Sequence, residues 1–118
     1  MKKIFKRRED LLNDTINHYN SNNRSITLSG QCYYYPVNDK SEGCAIGRLI
    51  KDKELCKTFG CRNVNEVFSE IPKELQELGP EFLSQLQCLH DVGANWNESG
   101  LSENGKEVVE FIREIYLA

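Results

Sequence analysis

The sequence predicts an α+β fold: a mostly helical single domain, residues 1–118, with a small antiparallel β-hairpin or sheet. Three observations carry this. Apolar residues recur at helical spacing in several separate stretches. Short β-rich runs cluster in one region, residues 25–37. A length of 118 residues gives room for one domain with one core. Apolar residues make up 39% of the chain and charged residues 28%, too hydrophobic and too well patterned for a disordered polymer.

Each element follows from local signals. Residues 4–20 predict a first helix, with Leu12, Ile16 and Tyr19 on one stripe and Leu11 beside it. Asn20-Ser21-Asn22-Asn23 stops it, because Asn and Ser compete for backbone hydrogen bonds. Residues 25–28 and 31–35 read as short strands, and Pro36 ends the second or places it on an edge. Residues 38–43 form a polar turn. Cys44 to about Lys53 then predicts a helix, with Ala45, Ile46, Leu49 and Ile50 facing inward and Gly47 at a close backbone approach. A further helical turn covers 55–59. Asn63 with Glu66 has the form of a capping box ahead of Val64, Val67, Phe68 and Ile71. Pro72 suits the first turn of a short helix, and Pro80 opens the next, striped by Phe82, Leu86 and Leu89 with Leu83 and His90 alongside. Residues 95–100 read as a loop anchored by Trp96. Ser102 caps a last helix striped by Val108, Ile112 and Ile115, with Val109 and Tyr116 adjacent.

Composition also excludes function classes. The net charge of −3 argues against general nucleic-acid affinity. The basic residues Lys2, Lys3, Lys6, Arg7 and Arg8 read as a solvated helix entrance. No apolar run is long enough to span a membrane, and the first residues lack the apolar core of a signal peptide, which predicts a cytoplasmic location. Five cysteines cannot all pair internally, so free thiols are expected in a reducing compartment. Structural zinc uses closely spaced cysteine pairs. Only Cys56-x4-Cys61 comes near that spacing, so neither metal nor cofactor is expected.

The most reactive pattern centres on Cys44, placed where a helix begins. A helix N-terminus favours a thiolate. In the catalytic reading Cys44 is a nucleophile and His90 its base, with Asn95 or Asn97 orienting the imidazole. Asp91 follows His90 directly, so the two side chains are expected to diverge on a helix. The alternative makes Cys44 a small buried hydrophobe and His90 a core-edge histidine bonded to a backbone carbonyl. A binding reading uses other residues. Tyr33 and Tyr35 share one strand face and Tyr34 takes the other, as a ligand platform or as plain sheet surface. Arg48, one turn after Cys44, could hold an anion near the helix start or pair with a glutamate.

The segments Cys32-Tyr33, Gly43 through Ile50, Leu86-Gln87-Cys88-Leu89-His90-Asp91 and Trp96 together resemble a group of small uncharacterised proteins of bacteriophages, prophages and bacteria. The shared pattern is Cys-x-Tyr, then Gly-x-Cys-Ala-x-Gly-x-Leu-Ile, then Leu-Gln-x-x-His-Asp, over roughly residues 8–118. Tyr34-Tyr35 stand here where that pattern carries a basic residue. The resemblance implies a phage-type accessory protein of the host-cell cytoplasm, and it places Cys44, His90 and Asp91 inside the shared pattern. The expected function is therefore binding of a host protein or a small anionic ligand, through Tyr34, Arg48, Asp91 and Trp96, to counteract host defence. The alternative is a cysteine-dependent hydrolase or transferase using Cys44, His90 and Asn95. The sequence does not give the oligomeric state.

Overall fold

The computed structural model describes residues 2–20, 45–59 and 63–117. The strands expected within 25–37, together with Tyr34, Cys44 and Cys61, lie outside the described residues. What is described is mostly helical with one small antiparallel sheet, an α+β architecture.

Helix α1 runs Lys2–His18 and buries Leu12, Thr15 and, one residue past its end, Tyr19. A buried hydroxyl needs a partner, and Thr15 Oγ1 donates to the Leu11 carbonyl at 2.9 Å. The basic entrance is not merely solvated. Arg7 donates to Glu77 Oε2 at 2.8 Å and to the Glu74 carbonyl at 2.7 Å. Arg8 donates from Nε to the Leu78 carbonyl and from Nη1 to the Tyr116 carbonyl, both at 3.0 Å. Its guanidinium also lies 5.4 Å from the centre of the Phe82 ring, within cation–π range. One planar fork thus ties α1 to the start of one helix and the end of another.

The helix expected from Cys44 to Lys53 is absent from its described part. Gly47–Leu49 forms a single 3-10 turn, and Ile50 is already extended. The inward residues Ala45, Ile46 and Ile50 are buried as expected, and Leu49 is half-buried. Asp52 explains the break. Its carboxylate accepts the Leu55 amide at 3.1 Å, starting a new helix, α2, Lys53–Phe59. Gly47 packs against α2, where Cys56 Sγ makes a 3.8 Å contact with its carbonyl oxygen.

Asn63 and Glu66 form the expected capping box: each side chain accepts the other residue's amide, at 3.0 and 3.1 Å. It opens α3, Val64–Val67, followed by a 3-10 turn, Phe68–Glu70. Pro72 precedes α4, Lys73–Gln76. Gly79 takes φ +89°, a left-handed conformation that glycine adopts freely. Pro80 then occupies the first turn of α5, Pro80–Asp91. Phe82, Leu83, Leu86, Leu89 and His90 are all buried on its inner face.

A 3-10 turn, Gly93–Asn95, leads into a hairpin where a plain loop was expected. Strand β1, Trp96–Asn97, pairs antiparallel with β2, Gly100–Leu101, Trp96 facing Leu101 and Asn97 facing Gly100. Asn97 Oδ1 accepts from the Ser99 amide at 3.0 Å and from its hydroxyl at 2.9 Å, a side-chain mimic of a backbone turn. Ser102 accepts the Gly105 amide at 3.1 Å and caps α6, Glu103–Tyr116. The buried face of α6 is Gly105, Val109 and Ile112. Val108 is half-buried and Ile115 faces solvent, so the stripe is rotated from the expected one. No helix of the described residues is long and apolar enough to cross a membrane.

Candidate functional site

The C-terminal end of α5 is where the chemistry-bearing residues converge. The last carbonyls of a helix have no intrahelical donor. The Leu89 carbonyl is satisfied by two side chains from the following segment: Asn95 Nδ2 at 3.1 Å and Trp96 Nε1 at 2.8 Å. Asn95 Oδ1 in turn accepts from Asn104 Nδ2 at 2.7 Å. Asn95 and Trp96 are both buried, and their amide and indole groups act as cement between α5, the hairpin and α6.

His90 sits just above this junction and is 0% exposed. Its Nδ1 lies 2.8 Å from Asp91 Oδ1. The expected divergence of these neighbours is therefore corrected. Asp91 is the last residue of α5, and Nδ1 is the ring nitrogen nearer the backbone, so the short carboxylate reaches it. Gln87, one turn earlier, donates to the same oxygen at 3.1 Å and holds the carboxylate toward the ring. A carboxylate accepts, so the ring donates Nδ1–H to Asp91. An anion at a helix C-terminus opposes the helix dipole, and these two donors offset that cost.

The imidazole is also held by rings. Tyr19 meets it edge-on at 4.6 Å between centroids, and Tyr19 lies 6.0 Å from Trp96. His18 packs edge-on against Tyr19 at 4.6 Å. The end of α1 thus closes over His90. Cys88, one residue from Leu89, is an exposed free thiol. Burial of part of its surface and the Asp91 charge both push its pKa up, burial more strongly. That keeps it protonated at neutral pH and a poor nucleophile.

The structure therefore brings His90, Asp91, Asn95 and Trp96 to one end of α5. Asn95 bonds to Leu89 and Asn104, and it is Asp91 that meets the imidazole. Of Arg48 only the backbone is described, within the 3-10 turn; Cys44 and Tyr34 fall outside the described residues. No group of three or more His, Cys, Asp or Glu side chains among the described residues is placed to hold a metal ion.

Two surface features were not among the sequence expectations. One flank of α6 leaves Phe111 and Ile115 exposed, at 49% and 57%. The other flank forms, with α1 and β2, an open cleft of about 580 Å³. The first could have been read from the i, i+3, i+7 spacing of Val108, Phe111 and Ile115. The second is a tertiary product of α1 meeting α6. No family model, curated protein or solved structure matches the chain.

Proposed function

We propose that the chain is a non-enzymatic binding module: a small accessory protein of the phage type, acting in the host-cell cytoplasm on a host protein or a small anionic ligand, and counteracting host defence. The observation that carries the binding reading is the Phe111–Ile115 pair. The two side chains lie one turn apart on α6, and half-buried Val108 links them to the core. Single exposed apolar residues are ordinary, whereas two large neighbours on one helix flank support a contact surface. Each is already about half covered, so burying the remainder against a partner is worth about 1 kcal/mol apiece. His90, by contrast, is buried.

The test is a capture experiment from host lysate with the wild-type chain and with Phe111→Ser/Ile115→Ser. A protein held by the wild type and lost at least tenfold by the variant, with circular dichroism unchanged, supports the reading. Identical capture by both ends it.

A second reading, a cysteine-dependent hydrolase or transferase using Cys44 and His90, is favoured by one observation. Asp91 holds Nδ1 of His90 at 2.8 Å, the relation that orients a catalytic imidazole. It requires Cys44 to react with iodoacetamide at mildly acidic pH faster than Cys88 does. Equal rates end that reading.

A further inference from the structure

The cleft between α1 and α6 has three chemically distinct parts. Its floor is apolar: Ile16 and Leu101 are half-buried and Val109 is buried. Its α1 wall presents Asn13 and Asn17, one helical turn apart. Its α6 rim carries Glu107 and Glu110, both exposed.

The charges on this rim are not balanced. Lys106 Nζ lies 3.3 Å from Glu103 Oε1, while Arg113 Nη2 donates at 2.8 Å to a neutral amide oxygen, Asn13 Oδ1, so one arginine charge stands against the carboxylates of Glu107 and Glu110 and the cleft is net negative. Among the described residues, the side chains of Glu107, Glu110 and Asn17 make no hydrogen bond or ion pair. What the cleft lacks is therefore one further positive charge beside an apolar group, together with a partner for the Asn17 side-chain amide.

We propose that this cleft binds an extended basic peptide segment of a partner protein. Asn17 and the Nδ2 group of Asn13 bond its backbone, the floor of Ile16, Leu101 and Val109 takes one apolar side chain, and Glu107 and Glu110 pair with a flanking lysine or arginine. Charge complementarity selects this occupant. A small anion would meet two uncompensated carboxylates against the single charge of Arg113, and a small polyamine would leave the apolar floor wet. A volume of about 580 Å³ lies inside the usual span of ligand recesses, about 300–1,000 Å³. This inference rests on the binding reading above and adds a second surface, on the flank of α6 opposite Phe111.

The experiment is nitrogen- and methyl-detected NMR on the full chain, titrated with acetyl-Gly-Lys-Leu-Arg-Gly-amide. The matched probes are acetyl-Gly-Glu-Leu-Glu-Gly-amide, acetyl-Gly-Lys-Gly-Arg-Gly-amide and octanoate. The basic apolar probe is expected to shift Asn13, Ile16, Asn17, Leu101 and Val109, and to weaken as salt rises. The other three are expected to bind at least tenfold more weakly. Glu107→Gln/Glu110→Gln is expected to cost about tenfold in affinity, and Asn17→Trp, an exposed position, to block the cleft. Phe111→Ser/Ile115→Ser should leave peptide binding unchanged. Several outcomes overturn the proposal. They are equal binding by the acidic probe or octanoate, no effect of the glutamine pair, cleft shifts that follow protein concentration, and contacts from residues 21–44 to Ile16 in the unliganded chain. If no probe binds while the Phe111 flank still captures its protein, this inference falls and the binding reading stands. If neither binds, both fall.

Discussion

Replacing Gly105 by alanine should destabilise the protein, although alanine is the better helix former by about 1 kcal/mol. Gly105 lies in the first turn of α6, buried against the segment that leaves α5. A Cβ there would run into the Asn95 carbonyl oxygen and sit 2.8 Å from Leu101 Cδ2. The obstacle is backbone, and it is pinned. The Asn95 carbonyl accepts the Ser102 amide at 2.8 Å, and its side chain is bonded to Leu89 and Asn104. Ser102 Oγ is bonded in turn to the Ala94 carbonyl. Overpacking of this kind costs about 1–3 kcal/mol. Losing the Ser102–Asn95 bond adds about 1 kcal/mol. After the gain in helix propensity the net loss is about 1–3 kcal/mol. For a chain of this size that lowers Tm by about 4–12 °C. Far-UV circular dichroism melts of Gly105→Ala and of the exposed control Glu114→Ala would measure it. A Tm for Gly105→Ala equal to or above wild type would refute the packing of α6 on the Asn95 carbonyl.

Arg8→Lys should lose about 1–2 kcal/mol, since an ammonium cannot serve both the Leu78 and Tyr116 carbonyls while lying flat on Phe82; a urea titration with an unchanged midpoint would contradict this. Asn63→Ala should lose about 1 kcal/mol through the capping box, read in the same way, and Glu66→Ala should lose part of it. The Cys88 thiol should alkylate with a pH midpoint above that of an ordinary cysteine. Asp91→Asn removes the smaller of the two causes and lowers the midpoint part of the way, so the variant reacts faster at a given neutral pH; an unmoved profile would acquit the carboxylate.

Signals confined to a few neighbouring residues were legible before any coordinates. The Asn63–Glu66 box, Pro80 at a helix start and the Ser102 cap all act within one turn, and all three stand. Signals that depend on competition between neighbours were not. Ala45 to Ile50 has the apolar content of a helix, yet Asp52 starts its own helix downstream and Ile50 becomes the extended link between them. The hairpin at Trp96–Leu101 is only two residues deep on each side, too short for alternation to show, although its turn residues were in view. Ile115 carries the right spacing for the core stripe, but the rotation of α6 is set by Gly105 lying against Asn95, a contact no local pattern encodes.

The site was legible in part. His90, Asn95 and Trp96 stood out, but only as separate residues; their meeting at the Leu89 carbonyl depends on how the chain turns after α5. The His90–Asp91 bond was hidden by the rule that helical neighbours point apart, a rule that weakens at a helix's last residue. The cleft was invisible because its walls are α1 and α6, remote in sequence.

The Arg8 fork has a consequence for synthesis. Its acceptor at Tyr116 is 108 positions downstream. Domains usually begin folding from the N-terminus while the ribosome is still translating. Here the first helix emerges early, but one of its anchoring bonds cannot form until the final turn of α6 has cleared the exit tunnel. Until then the cationic stretch is held only by the bonds of Arg7 and Arg8 to residues 74–78, and the second arm of the Arg8 fork waits for Tyr116.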